Sequence, residues 1–153
     1  MITLDDTDKR ILRALQRRGR ASHAELSEQV SLSPSACHRR VQRLEAEGII
    51  RDYVALLDGR AVGRKTTVFV EITLTSQSED VLNAFERAVA RVPEVMECHL
   101  MAGAADYLLK VAVEDSEDFA RVHRRALSTL PGVAQMQSSF ALRTVQSTTA
   151  LPL

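Results

Sequence analysis

The sequence lacks the features that would indicate a membrane protein or a protein of an oxidising compartment. Its 153 residues include only two cysteines, Cys37 and Cys98, which are far apart and have no C-x-x-C context. They indicate neither a disulfide framework nor a zinc site. No apolar run approaches the roughly 20 residues that a transmembrane helix needs. Met1 is followed by acidic residues rather than by a basic signal-peptide start, so we expect a cytoplasmic protein.

A net charge is also lacking, but the charges are distributed unevenly along the chain. The stretch from Lys9 to Arg43 contains nine lysines and arginines against two acids, a local charge of +7. Such a concentration of positive charge is typical of a protein that binds a polyanion. A solvated basic surface is the other interpretation, and charge alone does not separate the two.

Three helices are predicted in the first 50 residues from their starts and stops. A Ser or Asp that caps free N–H groups marks each start, and Ser22 with Glu25 forms a capping box. The third helix should end at Glu47, because Gly48 can adopt the left-handed conformation. The second and third helices are joined by three residues and the third is basic, which predicts a helix-turn-helix. The predicted N-caps are Asp5, Ser22 and Ser33.

The third helix has an inner face and an outer face. Counting 100° per residue directs Cys37, Val41 and Leu44 inward, toward a core with Ile11, Leu12, Leu15, Leu26, Val30 and Leu32. Arginine can pair with guanine or phosphate, glutamine with adenine, and serine with either. Arg40 lies nearer the inner edge and suits a structural ion pair equally well. The predicted contacts to double-stranded DNA are Ser33, Ser35, His38, Arg39, Gln42 and Arg43.

A domain boundary is predicted near residue 60. Residues 49–57 are rich in β-formers and predict a strand that leaves the DNA-binding unit. The Gly-and-charge cluster of residues 58–64 follows it. We therefore expect a DNA-binding domain over residues 1–60 and a second domain over residues 61–153.

The second domain repeats itself with an offset of 38 residues. Ser78-Glu79-Asp80 recurs as Ser116-Glu117-Asp118, and Pro93-x-Val95 recurs as Pro131-x-Val133. Each copy reads as strand, capped helix, Pro turn and strand, which predicts an α+β fold of the ferredoxin-like βαββαβ type. The predicted strands are 66–74, 95–102, 107–113 and 133–142, and the predicted helices are 79–91 and 117–130.

One face of the predicted sheet has no helix to cover it. Val68, Val70 and Ile72 point to one side of the first strand, and Phe69 points to the other. Both sides cannot reach the helices, so burial against a second copy is the economical solution. We expect at least a homodimer.

The chain resembles the Lrp/AsnC family, the leucine-responsive and asparagine-responsive transcription regulators of bacteria and archaea. The matching words run through both predicted domains: LDDTDKRILRALQRRGR, AELSEQVSLSPSACHRRVQRLEAEGII, VFVEITL, ECHLMAGAADYLLKV, LPGV and SSFALRTV. The resemblance implies a winged helix-turn-helix followed by a ferredoxin-like effector domain. It also implies dimers that join through their sheets and often assemble into octamers or other multiples, with an effector, commonly an amino acid, between dimers.

The resemblance puts that effector beside a Gly-x-x-Asp-Tyr loop, here Gly103-Ala104-Ala105-Asp106-Tyr107. Gly103 would let backbone N–H groups meet a carboxylate, and Asp106 would bind an α-ammonium. The other interpretation is a plain strand-to-strand turn in which Asp106 makes the corner hydrogen bonds. Apolar contacts and hydroxyls from a neighbouring chain complete the predicted site: Leu100, Met101, Ser138 and Ser139.

The loop also departs from the family pattern. Members usually carry a polar or acidic residue after the glycine and often an aromatic residue next, whereas this chain has Ala104 and Ala105. The change opens the pocket, so the effector's identity is not carried over. Small side chains and Met101 favour an aliphatic or sulfur-containing amino acid, or an aromatic one that fills the extra room.

The leading hypothesis is therefore a transcription regulator that responds to a small effector. An architectural DNA-wrapping protein without an effector is the alternative. An enzyme of the dimeric α+β-barrel type is a remote third, with His99, His123 and Asp106 as its only acid–base candidates. Paired carboxylates, metal-ligand spacing and a nucleophile–base set are lacking, so we expect no catalytic residue, metal or cofactor.

Overall fold

The computed structural model describes residues 3–153 as two compact units. Among the described residues, the first comprises 3–56 together with Val145–Leu153, and the second comprises Leu57–Thr144. This division differs from the predicted boundary at residue 60 chiefly because the segment after residue 144 is grouped with the first unit. Within residues 3–153, no helix is both long and apolar enough to cross a membrane.

Three helices form the body of the first unit, and each begins at its predicted cap. Asp5 and Ser22 both form capping boxes, in which side chains and backbone N–H groups pair reciprocally. Ser33 accepts a hydrogen bond from the N–H of Ala36 and is followed by Pro34 in the first turn. These caps satisfy N–H groups that have no partner inside a helix. The helices are α1 (Asp6–Arg17), α2 (His23–Val30) and α3 (Pro34–Ala46).

The end of α3 also follows the prediction. Glu47 is the C-cap, and Gly48 has a φ of +70°, in the region that glycine adopts without a steric cost. The N–H groups of Ile49 and Ile50 then both donate to the carbonyl of Leu44, at 2.9 and 3.0 Å. The chain is therefore turned back on the helix before it continues.

The strand predicted for residues 49–57 is not formed in the described chain. Residues 51–58 have no regular secondary structure, and none of the described strands pairs with them. A strand needs a neighbour to satisfy its N–H and C=O groups, and β-forming residues alone do not provide one. The prediction of an isolated exit strand is therefore wrong for the single chain.

The core of the first unit is close to the predicted one. Ile11, Cys37 and Leu44 are completely buried, whereas Leu15 and Leu32 lie at the edge of the core and are only partly covered. Burial of such a side chain contributes about 1.5–3 kcal/mol to folding. The three short helices are therefore stabilised by packing on one another. The buried apolar residues are Ile11, Leu12, Leu26, Val30, Cys37, Val41 and Leu44.

The second unit is a four-stranded antiparallel sheet with two helices on one face, as the repeat predicted. The strand order is β2-β3-β1-β4. Both outer strands and both helices end earlier than predicted, and the last predicted helix is completed by a short 3-10 helix, Leu127–Thr129. The elements are β1 (Thr66–Leu74), α4 (Glu79–Val89), β2 (Val95–Leu100), β3 (Tyr107–Val113), α5 (Ser116–Arg125) and β4 (Val133–Phe140).

The two faces of the sheet differ in burial. Along β1, Val68 and Ile72 are completely buried under the helices, while Phe69 is 38% exposed. Residues paired directly across antiparallel strands share a face, so Lys110 and Ser139, the partners of Phe69, lie on its side. We call this side, marked by Phe69, Lys110 and Ser139, the open face.

Candidate DNA-binding face and ligand loop

The outer face of α3 carries the side chains that the sequence predicted there. Ser35, Arg39 and Gln42 are all exposed, and the buried side chains of the helix lie opposite them. Ser33 is also exposed, but its hydroxyl caps the helix by accepting from the N–H of Ala36 at 3.2 Å. The three outward side chains can therefore approach a base edge, whereas the hydroxyl of Ser33 is already engaged.

His38 lies on the flank of α3 and has a partner in α2. Its Nδ1 atom is 3.1 Å from Nε2 of His23, and the two rings meet edge to face with their centroids 4.5 Å apart. A hydrogen bond between neutral imidazoles uses one N–H donor and one acceptor nitrogen. The His38 ring is thus oriented by the other helix while its side chain remains exposed.

Arg40 and Arg43 point toward α1 rather than outward. Both donate to the carboxylate of Asp8, at 2.8 and 2.5 Å, and Arg40 also donates to Asp5 at 2.7 Å. The Asp8 side chain is 1% exposed, while those of Arg40 and Arg43 are 30% and 44% exposed. The backbone N–H of Asp8 and then the Arg40 guanidinium lower the pKa of Asp5 to about 2.

The ion pair of Arg40 was anticipated from its position near the inner edge of α3, but that of Arg43 was not. The readable signal was Asp8, which falls on the apolar stripe of α1 three and four residues before Ile11 and Leu12. A charged residue on such a stripe requires a buried partner. Arg43 remains a predicted DNA contact, with part of its guanidinium committed to the fold.

The predicted ligand loop connects β2 to β3 across residues 101–106. The N–H of Met101 donates to the carbonyl of Asp106 at 2.8 Å, and the N–H of Asp106 donates to the carbonyl of Ile72 in β1 at 2.8 Å. These bonds close the base of the loop and fix it to the central strand. Residues 101–104 are exposed, so the tip of the loop is open.

Asp106 is the buried anchor of this loop. Its side chain accepts the N–H of Leu74 at 2.7 Å and the side-chain amide of Gln77 at 2.6 Å, and the residue is 8% exposed. This arrangement is the corner role that the sequence left open. A carboxylate has about four lone-pair sites, so these two bonds leave further acceptor positions on both oxygens. Nothing in the sequence singles out Gln77, because its position after β1 is that of an ordinary loop residue.

Gly103 lies at the exposed tip of the loop. Its φ is outside the left-handed region, and a Cβ built on it would meet no described atom within 4 Å. The turn therefore does not require glycine, and what distinguishes the position is the free space beside its backbone. Ala104 is exposed and Ala105 is half-buried, so this small-residue surface is continuous.

Tyr107 ends the loop beneath α4. Its hydroxyl donates to Glu86 at 2.7 Å, and burial followed by this hydrogen bond raises the pKa of Tyr107. Leu100 joins these two residues at a cleft of about 410 Å³ along the β2 edge, where it is 60% exposed. Glu86 was missed by sequence reasoning, although it is a polar residue that adjoins the apolar stripe of α4.

The two predicted serines lie on opposite faces of β4. Ser138 pairs with Val70 on the helix side, and Ser139 pairs with Phe69 on the open face. Strands β3 and β1 lie between β2 and β4, so β4 is three strand spacings, about 14 Å, from β2. A single chain therefore does not bring these hydroxyls to the ligand loop, and their supply by a neighbouring chain stays a prediction.

Two family models match the chain. Residues 4–51 match the winged helix-turn-helix DNA-binding model, and residues 67–151 match the Lrp/AsnC ligand binding domain. The first match contains α1–α3 with their outward arginine and glutamine. The second contains all of the sheet except Thr66, together with the loop between β2 and β3.

Relatives match over nearly the full length. The leucine-responsive regulatory protein of Escherichia coli is 41% identical over 148 residues, which are 97% of this chain and 90% of that protein. An uncharacterised HTH-type transcriptional regulator of Sinorhizobium fredii is 48% identical over 117 residues, 76% of this chain and 92% of the relative.

Solved structures are similarly close. A transcriptional regulator of Neisseria meningitidis in complex with L-Met is 40% identical with a TM-score of 0.93, covering 98% of this chain and 97% of that one. An AsnC family transcriptional regulator of Agrobacterium tumefaciens is 39% identical with a TM-score of 0.94, covering 97% of each chain.

Proposed function

The chain belongs to the Lrp/AsnC family of transcription regulators, and from this premise we propose that it binds specific DNA sites under the control of an amino acid. The family match supports a DNA-binding unit and a ligand-binding domain. The sequence specificity, the class of effector and the assembly are the parts that we add. Each is supported by a separate feature of the chain.

Sequence specificity is supported by the outer face of α3. Arg39 and Gln42 are exposed, and the ion pairs of this helix to α1 are made by Arg40 and Arg43 instead. Arg39 and Gln42 therefore retain their donors for guanine and adenine edges. In a dimer, two copies of α3 would enter successive major grooves, so the operator would be pseudo-palindromic with half-sites spaced by whole turns.

The proposal of an amino acid rests chiefly on the buried carboxylate of Asp106 beneath an open Gly-Ala-Ala tip. The carboxylate of Asp106 would accept a hydrogen bond from the ammonium group of the ligand, and backbone N–H groups beside Gly103 would donate to its carboxylate. The exposed thioether of Met101, 43% accessible, offers an apolar contact to the side chain of the ligand. The Neisseria relative was solved with L-Met, which supports a sulfur-containing or aliphatic amino acid here as well.

The proposed assembly is a homodimer through the open face, with dimers joining into octamers or other multiples. Phe69 of β1 is 38% exposed on this face, so apolar surface remains to be covered. Ser138 and Ser139 would reach the ligand loop of a neighbouring chain. The effector would then lie between dimers and alter their assembly or the spacing of the DNA-binding units, a coupling of about 1–3 kcal/mol.

The test combines a thermal-shift screen of the twenty amino acids with electrophoretic shifts on the promoter next to the gene. Binding at 100 times the dissociation constant should stabilise the protein by about 2.7 kcal/mol. An architectural protein would show no stabilisation by any amino acid. Gly103→Ala is the informative variant, since it has space to fold normally and should lose the stabilisation if a ligand approaches this backbone. DNA binding that is equal on operator and competitor would contradict the proposed specificity.

A further inference from the structure

Residues 145–153, which we name the strap, follow β4 along the chain but belong to the first unit. The chain therefore passes between the units twice, once after Leu56 and again after Thr144. Neither the DNA-binding face nor the ligand loop uses the strap. Its contacts within the first unit indicate a separate role.

The strap is hydrogen-bonded to one face of α1. The side-chain amide of Gln16 pairs with Leu151 in both directions: its Nε2 donates to the carbonyl oxygen at 3.1 Å, and its Oε1 accepts the N–H at 2.5 Å. Arg13, one turn earlier on α1, donates to the carbonyl of Leu153 through Nη2 and, at 2.9 Å, through Nε. Because these bonds use the backbone of Leu151 and Leu153, they hold the last three residues of the strap against the helix.

The strap also meets an apolar groove. A cleft of about 560 Å³ is lined by leucines of α1 and by the residues that follow α3, including Ile49, Ile50 and Tyr53. Leu153 lies in this cleft and is 40% exposed, whereas Leu142, before the strap, is 101% exposed. Leu151 lines the cleft too but is 71% exposed, so it is retained mainly through its backbone. The strap thus covers the groove only in part, as expected of a contact that can be released.

The two connecting segments leave the second unit side by side. The N–H of Ala141, just after β4, donates to the carbonyl of Thr67 in β1 at 3.0 Å. Residues 58–60, 64–65 and 141–144 then line one cleft of about 460 Å³. The first of these segments is a tight turn, because a Cβ on Gly59 would lie 2.7 Å from the carbonyl oxygen of Arg64. A displacement at the end of β4 therefore passes into the strap across only a few residues.

We propose that the groove on the first unit is a docking site for the strap, and that the docked strap couples β4 of the ligand-binding domain to α1. The coupling rests on the proposed function, since β4 carries the serines that would face a bound amino acid. The docking does not rest on it, because the contacts of Gln16, Arg13 and Leu153 exist without a ligand. Docking and coupling are therefore tested by different measurements.

Docking is tested by hydrogen exchange in the full chain. The release variant is Gln16→Ala with Leu153→Ser, and the matched control is Arg17→Ala with Val145→Ser, which makes similar truncations at side chains that do not line the groove. Exchange of the strap amides should accelerate about tenfold in the release variant, as expected for the loss of one or two net hydrogen bonds. The control should exchange like the unchanged protein. Strap amides that already exchange at the rate of a free peptide in the unchanged protein would overturn the docking.

Coupling is tested with the amino acid that the thermal-shift screen identifies. We expect that amino acid to alter operator affinity in the unchanged protein and in the control, and to alter it several-fold less in the release variant. An equal response in all three proteins would overturn the coupling while leaving the docking intact. If no amino acid changes operator affinity even in the unchanged protein, the proposed function fails and the coupling falls with it, whereas the exchange data still decide the docking.

Discussion

Arg40 of α3 donates a hydrogen bond of 2.8 Å to the carboxylate of Asp8 in α1, a side chain that is only 1% exposed. Removing one member of a buried ion pair leaves the partner uncompensated, which is strongly destabilising when burial is complete. The arginine side chains here are partly exposed and can regain water, so we discount that effect. We predict that Asp8→Ala lowers the free energy of unfolding by about 1–3 kcal/mol.

Urea unfolding of the full chain measures this loss. Asp6→Ala is the control, since Asp6 is an exposed first-turn acid whose contribution to α1 through the helix dipole is typically about 0.3–1 kcal/mol. Equal losses in the two variants would show that the ion pairs of Asp8 with Arg40 and Arg43 stabilise the fold no more than ordinary helix electrostatics do.

Arg39 and Arg43 should differ in what they contribute. Arg39→Ala removes an outward donor and should weaken operator binding by about 1–3 kcal/mol if it pairs with a guanine, with little change in stability. Arg43→Ala also removes a bond to Asp8, so it should lower the free energy of unfolding as well. Operator and competitor titrations, with thermal melts, separate the two. A loss in Arg39→Ala that is equal on all DNA sequences would make it a phosphate contact.

The loss of folding stability at low pH should depend in part on Asp5. Its pKa is lowered from 3.8 to about 2, first by the N–H of Asp8 and then by Arg40, so the folded state favours the ionised form. This contribution is fully present above about pH 4 and is lost as the pH falls through about 2. Asp5→Asn retains a cap but cannot titrate. We predict a shallower fall of the urea midpoint between pH 5 and pH 2 in this variant, and parallel profiles would contradict the assignment.

Asp106→Asn separates the structural role of this residue from its proposed contact with a ligand. The amide oxygen can still accept from the N–H of Leu74, and a rotated Gln77 can still pair with it, so stability should change by no more than about 1 kcal/mol. Loss of the negative charge should weaken amino-acid binding at least about tenfold, because the bond to ammonium is no longer charge-assisted. Calorimetric titration measures this affinity. Gln77→Ala is the control that keeps the carboxylate, and unchanged affinity in Asp106→Asn would exclude an ammonium contact.

Replacement of Gly132 should be costly, because both its backbone conformation and its surroundings oppose a side chain. Its φ is +74°, and a Cβ would lie 2.7 Å from Cγ1 of Val81. Gly63 has a φ of +73° but open space around it, so Gly63→Ala measures backbone strain alone. We predict that Gly132→Ala lowers the free energy of unfolding by about 1–3 kcal/mol and exceeds Gly63→Ala. Thermal melts of both variants test the difference, which should vanish if Val81 can rotate away.

Local chemistry explains which features could be predicted. Caps such as Ser22 and Ser33 act within three residues, and the apolar stripes need only helical spacing, so both were readable. The 38-residue repeat made the strands of the sheet predictable as well, since its two copies predict the same elements. Arg43 and Asp8 are 35 positions apart, and Gln77 and Asp106 are 29 positions apart. No local rule selects such distant partners.

Two other features depend on more than one segment of this chain. The β-forming residues 49–57 have strand propensity but no described neighbour to pair with, so propensity alone misled the prediction. Ser138 and Ser139 look like a single hydroxyl pair in the sequence, but strand alternation sends them to opposite faces. The residues around these serines in the sequence do not reveal which groups of a neighbouring chain would contact them.

The strand order β2-β3-β1-β4 has a consequence for how the second unit can fold. The first repeat contributes β1 and β2, the second contributes β3 and β4, and all three described ladders join a strand of one repeat to a strand of the other. The two strands of one repeat do not pair with each other. One repeat alone therefore cannot form a sheet, and we expect no stable folding intermediate that contains a single repeat. We therefore expect the domain to fold in one cooperative step that depends on contacts distant along the chain. A nascent chain synthesised only as far as β2 has neither of the strands, β3 and β4, with which β1 and β2 pair.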